Sequence, residues 1–271
     1  PGGVPGNQPH STNRPPLLRS ALMARLTLLG SSAAIANAAH DNIYMVLSER
    51  GGAWLIDCAG SPLQRLALAG IPAEALKGLI VTHHHPDHIY GLPVLLLGLW
   101  LLGQQPLPIY GPPESLDFIS RLMALYEPDE WATQFTGHPI APQEESPVLS
   151  TEEVEVIASP VKHLAPTVGL RITSRITGRA IVYSSDTEPC EAVVRLAAGA
   201  DVLLHEATGA YPGHSTGAGA AEVARRAGVK RLVFVHYPVV PPGSGAEVLK
   251  EARKVFDGPV ELAEDFDSYE L

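Results

Sequence analysis

The stretch Val81 to Gly91, "VTHHHPDHIYG", puts four histidines and an aspartate into eleven positions directly after a run of apolar residues. Leu79-Ile80-Val81 reads as a buried strand, predicted over Leu79 to His83. The pattern H-x-H-x-D-H, formed by His83, His85, Asp87 and His88, follows on a segment that Pro86 is expected to keep from becoming helical. Such spacing aims alternate side chains at one point. Imidazole and carboxylate donors together suit zinc, manganese or iron, and the absence of thiolates from the pattern speaks against a purely structural tetrahedral zinc.

Further donors stand at the ends of other predicted strands. His163 follows the strand Val154 to Ser159 after a short turn, Asp186 ends "AIVYSSD", His236 ends "LVFVH" and Asp57 ends "WLID". The carboxyl ends of strands are where α/β folds gather binding groups.

The 271 residues suit a single large α/β domain, with 45% apolar and 18% charged residues, a globular composition. The formal charge of −10 leaves no general excess of cations to attract a polyanion. A phosphate substrate is still allowed, because bound divalent ions reverse the local sign in a cleft. Cys58 and Cys190 make no Cys-x-x-Cys pair and read as free thiols of a cytoplasmic protein.

Residues 1–22, rich in Pro, Gly and Asn, read as a flexible N-terminal extension ahead of one domain over 23–271, with Met23 a native start. Arg19 to His40 superficially resembles a secretory signal, but Arg25 interrupts the apolar run and Leu26 to Gly30 reads as a first strand. Leu92 to Leu102 is apolar for eleven residues, well short of the roughly twenty a membrane span needs, and is expected to be a core helix. No membrane association is predicted.

Other strands are predicted at 43–48, 53–57, 107–110, 168–173, 180–186, 202–206, 232–236 and 260–263. Helices are predicted at 63–69, 114–126, 191–198, 218–227 and 246–256. In the second helix Leu116, Ile119, Met123 and Tyr126 form one stripe, read as core. No G-x-G-x-x-G opens a helix. Two runs of consecutive strands point to two mixed sheets packed face to face with helices outside, a four-layer α/β/β/α sandwich. His10, His40 and His138 have no ligand context and are read as surface or loop residues.

With these residues in place, from about Leu26 to the carboxy terminus, the chain resembles the metallo-β-lactamase-fold superfamily and, within it, the ribonuclease Z-like phosphodiesterases. "LLHEATGAYPGHST", with His205-Glu206-Ala207-Thr208 and Gly213-His214-Ser215-Thr216, carries the narrower resemblance, and "YSSDTEPC" and "LAEDFDSYEL" are similar as well. The resemblance implies a hydrolase with two divalent metal ions, zinc first and manganese or iron as alternatives. His83, His85 and His163 would hold one ion, Asp87, His88 and His236 the other, and Asp186 would bridge them. It also implies that Asp57 braces the ligand loop, that His84 points away, and that Glu206 holds His214 over the metal pair. Asp87 would orient or deprotonate the attacking water, and His214 would stabilise the transition state or protonate the leaving oxygen. Homodimers are usual in the family.

One departure bears on substrate. Many ribonuclease Z enzymes carry a long tRNA-gripping arm between the third histidine and the bridging aspartate, whereas only 22 residues separate His163 from Asp186. RNA and a small or cyclic phosphodiester therefore stand level as substrates. A same-fold hydrolase of a carboxylic ester, thioester or sulfate, and a non-catalytic binding protein, are the alternatives. The region Leu92 to Ser150 carries no motif and is read as a cover for one side of the cleft, with Trp131 and Phe135 candidates to stack on a base or to pack beneath the loop.

Overall fold

The computed structural model describes residues 23–126 and 135–271. Burial along its strands alternates between two different cores. In β2 (Tyr44–Glu49), Met45 and Leu47 enter one cluster while Tyr44 and Val46 enter another. In β12 (Leu232–Val235), Val233 and Val235 join the first of these clusters, and Leu232 and Phe234 a third. Strands that are apolar on both faces must be covered on both, and here the shared cluster lies between two sheets.

The first sheet runs β14 (Ser268–Glu270), β1 (Arg25–Gly30), β2, β3 (Gly52–Ile56), β4 (Leu76–Ile80), β5 (Leu107–Gly111) and β6 (Phe135–Pro139). The second runs β13 (Val260–Leu262), β12, β11 (Val202–Glu206), β10 (Ala180–Tyr183), β9 (Val168–Ser174), β8 (Val154–Pro160) and β7 (Ser146–Ser150). Each is antiparallel on one flank and parallel on the other, the parallel parts being β3 to β6 and β10 to β13. Outside the first sheet, α1 (Pro62–Leu68), α2 (Pro86–Ile89), α3 (Leu92–Leu101) and α4 (Pro113–Ala124) bury Leu66, Ile89, Leu95 and Ile119. Outside the second, α5 (Glu191–Leu196), α6 (Gly217–Ala227) and α7 (Ser244–Ala252) bury Leu196, Ala224 and Val248. The four-layer sandwich expected from the sequence is the observed architecture. No helix among the described residues is long and apolar enough to cross a membrane.

Several local expectations are corrected. Pro86 opens α2 rather than preventing it, because at the first helical position proline's missing N–H costs nothing and its φ suits the helix. The strands bearing ligands stop earlier than predicted, at Ile56, Ile80, Tyr183 and Val235, and their donors lie just beyond. Positive φ angles at Asp57 (59°), Ser185 (53°) and His236 (46°) end the extended backbone there. The described part of the region 92–150 supplies α3, α4 and the strands β5, β6 and β7, the last two each forming one edge of a sheet. Phe135 packs against the outer core of the first sheet, while Trp131 and His10 lie outside the described residues. In the α4 stripe Ile119 and Met123 are buried, but Tyr126 lies past the helix end and is exposed. Helix α3 buries one face and leaves Val94 and Leu101 in solvent. His40 lies in the loop before β2, its Nδ1 2.9 Å from the Ser31 hydroxyl, which donates to Asp265.

Candidate metal centre

Parallel strands in register carry their carboxyl ends to one edge, and the loops leaving them meet there. Ile56 pairs with Ile80, Tyr183 with Leu204 and Glu206 with Val235, so the residues that follow these strands converge. His83, His85, His163 and Asp186 bring one donor atom each within 4.8 Å of one another. Asp87, His88 and His236 form a second such group, and Asp186, His214 and His236 a third. Asp186 lies between them, its Oδ2 3.8 Å from His83 Nε2 and its Oδ1 3.4 Å from His88 Nε2 and 3.5 Å from His236 Nδ1. All seven sequence-predicted ligands stand together.

The donor set suits cations. Nε2 of His83 and of His88, and Oδ1 of Asp186, are buried without a well-formed hydrogen bond, a state that needs an explanation in any folded protein. Burial pushes His83 far down toward the neutral form, which has a lone pair to give. Burial also opposes the charge on Asp186, yet His236 and His88 hold its carboxyl well below the usual range. His88 is raised well above ordinary imidazole, because the charges of Asp186 and Asp57 outweigh its burial. Two buried carboxylates thus call for positive charge at this spot, which two divalent ions at His83, His85, His163, Asp87, His88, His236 and Asp186 would meet.

Hydrogen bonds set which ring nitrogen faces inward. His163 Nδ1 donates to the Gly213 carbonyl at 2.7 Å, leaving Nε2 a lone pair for a cation, 3.0 Å from His85 Nδ1. The Thr208 hydroxyl donates to the His236 carbonyl, so it accepts from His236 Nδ1 at 2.8 Å and leaves Nε2 facing Asp87, 3.2 Å away. Asp57 accepts from His88 Nδ1 at 2.9 Å and from the Thr82 backbone N–H at 2.8 Å. Thr82 in turn receives the Ser185 hydroxyl at 2.9 Å, and its carbonyl accepts from Val168 N–H, tying the two sheets together below the site. His84 turns outward, 3.2 Å from the Ser115 hydroxyl and stacked on Phe118.

The opposite wall is organised by Glu206, which is fully buried. Its Oε1 accepts from Ser215 N–H at 2.8 Å and from His214 Nδ1 at 3.2 Å, and its Oε2 accepts from Thr208 N–H at 2.7 Å. Burial opposes a charge on His214, but the Glu206 hydrogen bond wins and raises its pKa above that of ordinary imidazole. Asp87 is shifted in the other direction: burial disfavours its charge, yet the hydrogen bond from His236 pulls the carboxyl down to about 2. One group is thereby suited to give a proton and the other to accept a hydrogen bond. In the tetrapeptide 213–216 the labour is divided. Gly213 has φ of 82° and lies so close under His163 that an added Cβ would come within 2.8 Å of Nδ1, Ser215 donates to the Thr187 carbonyl, and Thr216 caps α6.

Thr82, Ser185 and Thr208 carry no assignment from the sequence, although all three lie inside quoted motifs. A hydroxyl that selects a tautomer has no spacing signature, so only the fold reveals it.

The family model described as "Beta-lactamase superfamily domain" matches residues 54–237. The chain is 30% identical to a ribonuclease Z of Crocosphaera subtropica, over 91% of this chain and 97% of that protein. It is 31% identical to a ribonuclease Z of Mycobacterium bovis, over 92% and 99%. Among solved structures, the short form of human tRNase Z superposes with a TM-score of 0.72 at 28% identity, covering 90% of this chain and 98% of that one. The metallo-beta-lactamase fold protein YhfI from Bacillus subtilis superposes with a TM-score of 0.78 at 24% identity, over 92% and 99%, a likeness of fold.

Proposed function

The chain belongs to the beta-lactamase superfamily and, within it, to the ribonuclease Z family, and from that premise we propose that it is a metal-dependent phosphodiesterase working at the His83–His236 centre. The carrying observation is that seven histidine and aspartate side chains converge around Asp186, with His214 held beside them by Glu206. Two divalent ions there would supply Lewis-acid charge for a phosphoryl group and lower the pKa of water to about 7. Zinc is the metal of this reading, with manganese and iron suited to the same donors.

The remaining work falls to the chain. Asp87, ionised, would hold an ion through one carboxylate oxygen and has the other to orient or deprotonate the attacking water. His214, whose pKa the Glu206 hydrogen bond raises, would donate to the phosphoryl oxygens or to the leaving oxygen. Asp57, Thr82, Ser185 and Thr208 hold the imidazoles in one tautomer and orientation.

The names of the relatives favour RNA as substrate. A second reading, a small or cyclic phosphodiester, is favoured by the segment 164–185, which holds only β9, β10 and tight turns, and by the formal charge of −10. RNA affinity comes largely from Lys and Arg on phosphates. A homodimer joined by exposed Leu68, Val94, Leu101 and Leu102 belongs to the proposal, and a monomer mass in sedimentation equilibrium would remove it. So does a cytoplasmic location, suited to the free thiols Cys58 and Cys190, and secretion to the oxidising exterior would contradict it.

Hydrolysis of bis(p-nitrophenyl) phosphate, set against p-nitrophenyl acetate and p-nitrophenyl sulfate, tests the reaction class. The phosphodiester is expected to be the preferred substrate, and His214→Ala to lower its turnover about 10²-fold or more at unchanged metal content. Preference for the acetate or the sulfate, or full turnover in the variant, would sink the assignment.

A further inference from the structure

Beside the ligand cluster lies a cavity of about 270 Å³ walled by three separate loops. Ile35 stands on the first, Thr208 and Tyr211 on the second, and Pro238, Val239 and Val240 on the third. Thr208 links it to the centre, since its hydroxyl is 2.8 Å from His236 Nδ1. Tyr211 is tied to the same machinery, its carbonyl accepting from His214 N–H at 3.1 Å.

None of the residues lining the cavity is charged. Ile35 and Tyr211 are 67% and 66% exposed, so two large apolar side chains stand open on either side of a hole next to the reactive centre. The walls are braced in advance. Ala33 N–H donates to the Tyr237 carbonyl at 3.1 Å, Asn42 Nδ2 donates to the Ala33 carbonyl at 2.7 Å, and Asn37 Nδ2 reaches the Val239 carbonyl at 3.4 Å. A preformed apolar recess loses little ordering entropy when it is filled.

We propose that this cavity is the subsite for one aromatic ester group of a small phosphodiester, an aryl ring or a single base, while the phosphate lies at the Asp186 centre. The proposal rests on the phosphodiesterase reading and narrows its substrate. Its volume falls at the lower edge of ligand pockets, roughly 300–1,000 Å³, which suits one ring system and not a continuing chain. Its lining offers no cation to further phosphates, and Lys162, the cation beside His163, is paired with Glu188. Tyr211 supplies a ring on which an aromatic group stacks.

Calorimetric titration of the zinc-loaded protein with phenyl phosphate and with ethyl phosphate tests this, because the probes share their charged head and differ in the ring. Phenyl phosphate is expected to bind about tenfold or more tightly, and Tyr211→Ala and Ile35→Ser each to narrow the gap to about threefold or less. Both changes lie on the exposed rim, and zinc stoichiometry reports whether the centre is intact. Equal affinities in the unaltered protein, or a preference that survives both substitutions, overturns the subsite and leaves the phosphodiesterase reading standing on its own hydrolysis assay. Failure of both phosphates to bind overturns the subsite alone if bis(p-nitrophenyl) phosphate is still hydrolysed, and overturns the two together if it is not. A short oligouridylate that outbinds phenyl phosphate and weakens in the same variants would put an RNA chain in the cavity and overturn the small-ester assignment.

Discussion

The two sheets are built alike, seven strands each with one antiparallel and one parallel flank, yet they deliver donors to the centre differently. The first concentrates His83, His85, Asp87 and His88 in six consecutive residues on the loop and single turn after β4. The second sends one residue from each of several strand ends: His163, Asp186 and His236, with Glu206 behind His214. A donor set held by one turn of backbone keeps its internal geometry through local bonds alone. A dispersed set is only as good as the register of β8, β10, β11 and β12. The dispersed side carries two of the three left-handed non-glycine positions at the site, Ser185 and His236, and a residue with a Cβ in that region costs of order 1–3 kcal/mol unless its surroundings enforce it.

The contrast is broken most severely at the residue shared by both groups. Asp186→Ala is expected to lower phosphodiesterase turnover about 10³-fold or more, since several kcal/mol of transition-state charge stabilisation depend on the ions it would hold together. Metal analysis of the variant should return fewer than two ions per chain, and full occupancy with near-normal turnover would mean that the halves bind independently.

On the compact side the expected effect is smaller. Asp57→Asn tolerates the left-handed backbone at this position but turns an amide N–H₂ toward either His88 or the Thr82 N–H. If it faces His88, the ring must carry its proton on Nε2, where a ligand needs a lone pair. Metal affinity, read by chelator competition, should fall about 10- to 100-fold. No change would show that the compact loop orients its histidines without help from the neighbouring strand.

The smallest expected effect lies on the dispersed side. Glu206 raises the pKa of His214, so the imidazolium is present below that pKa and lost as pH rises through it. In Glu206→Gln the pKa moves back toward about 6.5, and the alkaline limb of the kcat profile should shift to lower pH with a severalfold loss near neutrality. An unmoved limb would mean that His214 is not the proton-holding group.

The compact half was legible because His83 to His88 compresses its chemistry into a spacing, and the dispersed ligands because each ends an apolar run. Order along the chain and strand-end position picked out these seven and Asp57 alike, and the family resemblance separated the ligands from the brace. Glu206 was nameable only through resemblance to a family, since a carboxylate in "LLHEAT" has no spacing relation to His214. The strands Phe135–Pro139 and Ser146–Ser150 escaped notice because edge strands holding His138, Pro139 and Pro147 lack the apolar alternation that marks a central strand.

Residue types and their periods therefore determined the four layers and the donors, because both follow from what must be buried and what can bind a cation. Which imidazole nitrogen faces the centre, and what lies beside it, was decided by the tertiary structure alone. Those features depend on the Thr82, Ser185 and Thr208 hydroxyls and on the meeting of Ile35, Tyr211 and Val240, contacts between residues far apart in the chain whose separation in space no local pattern encodes.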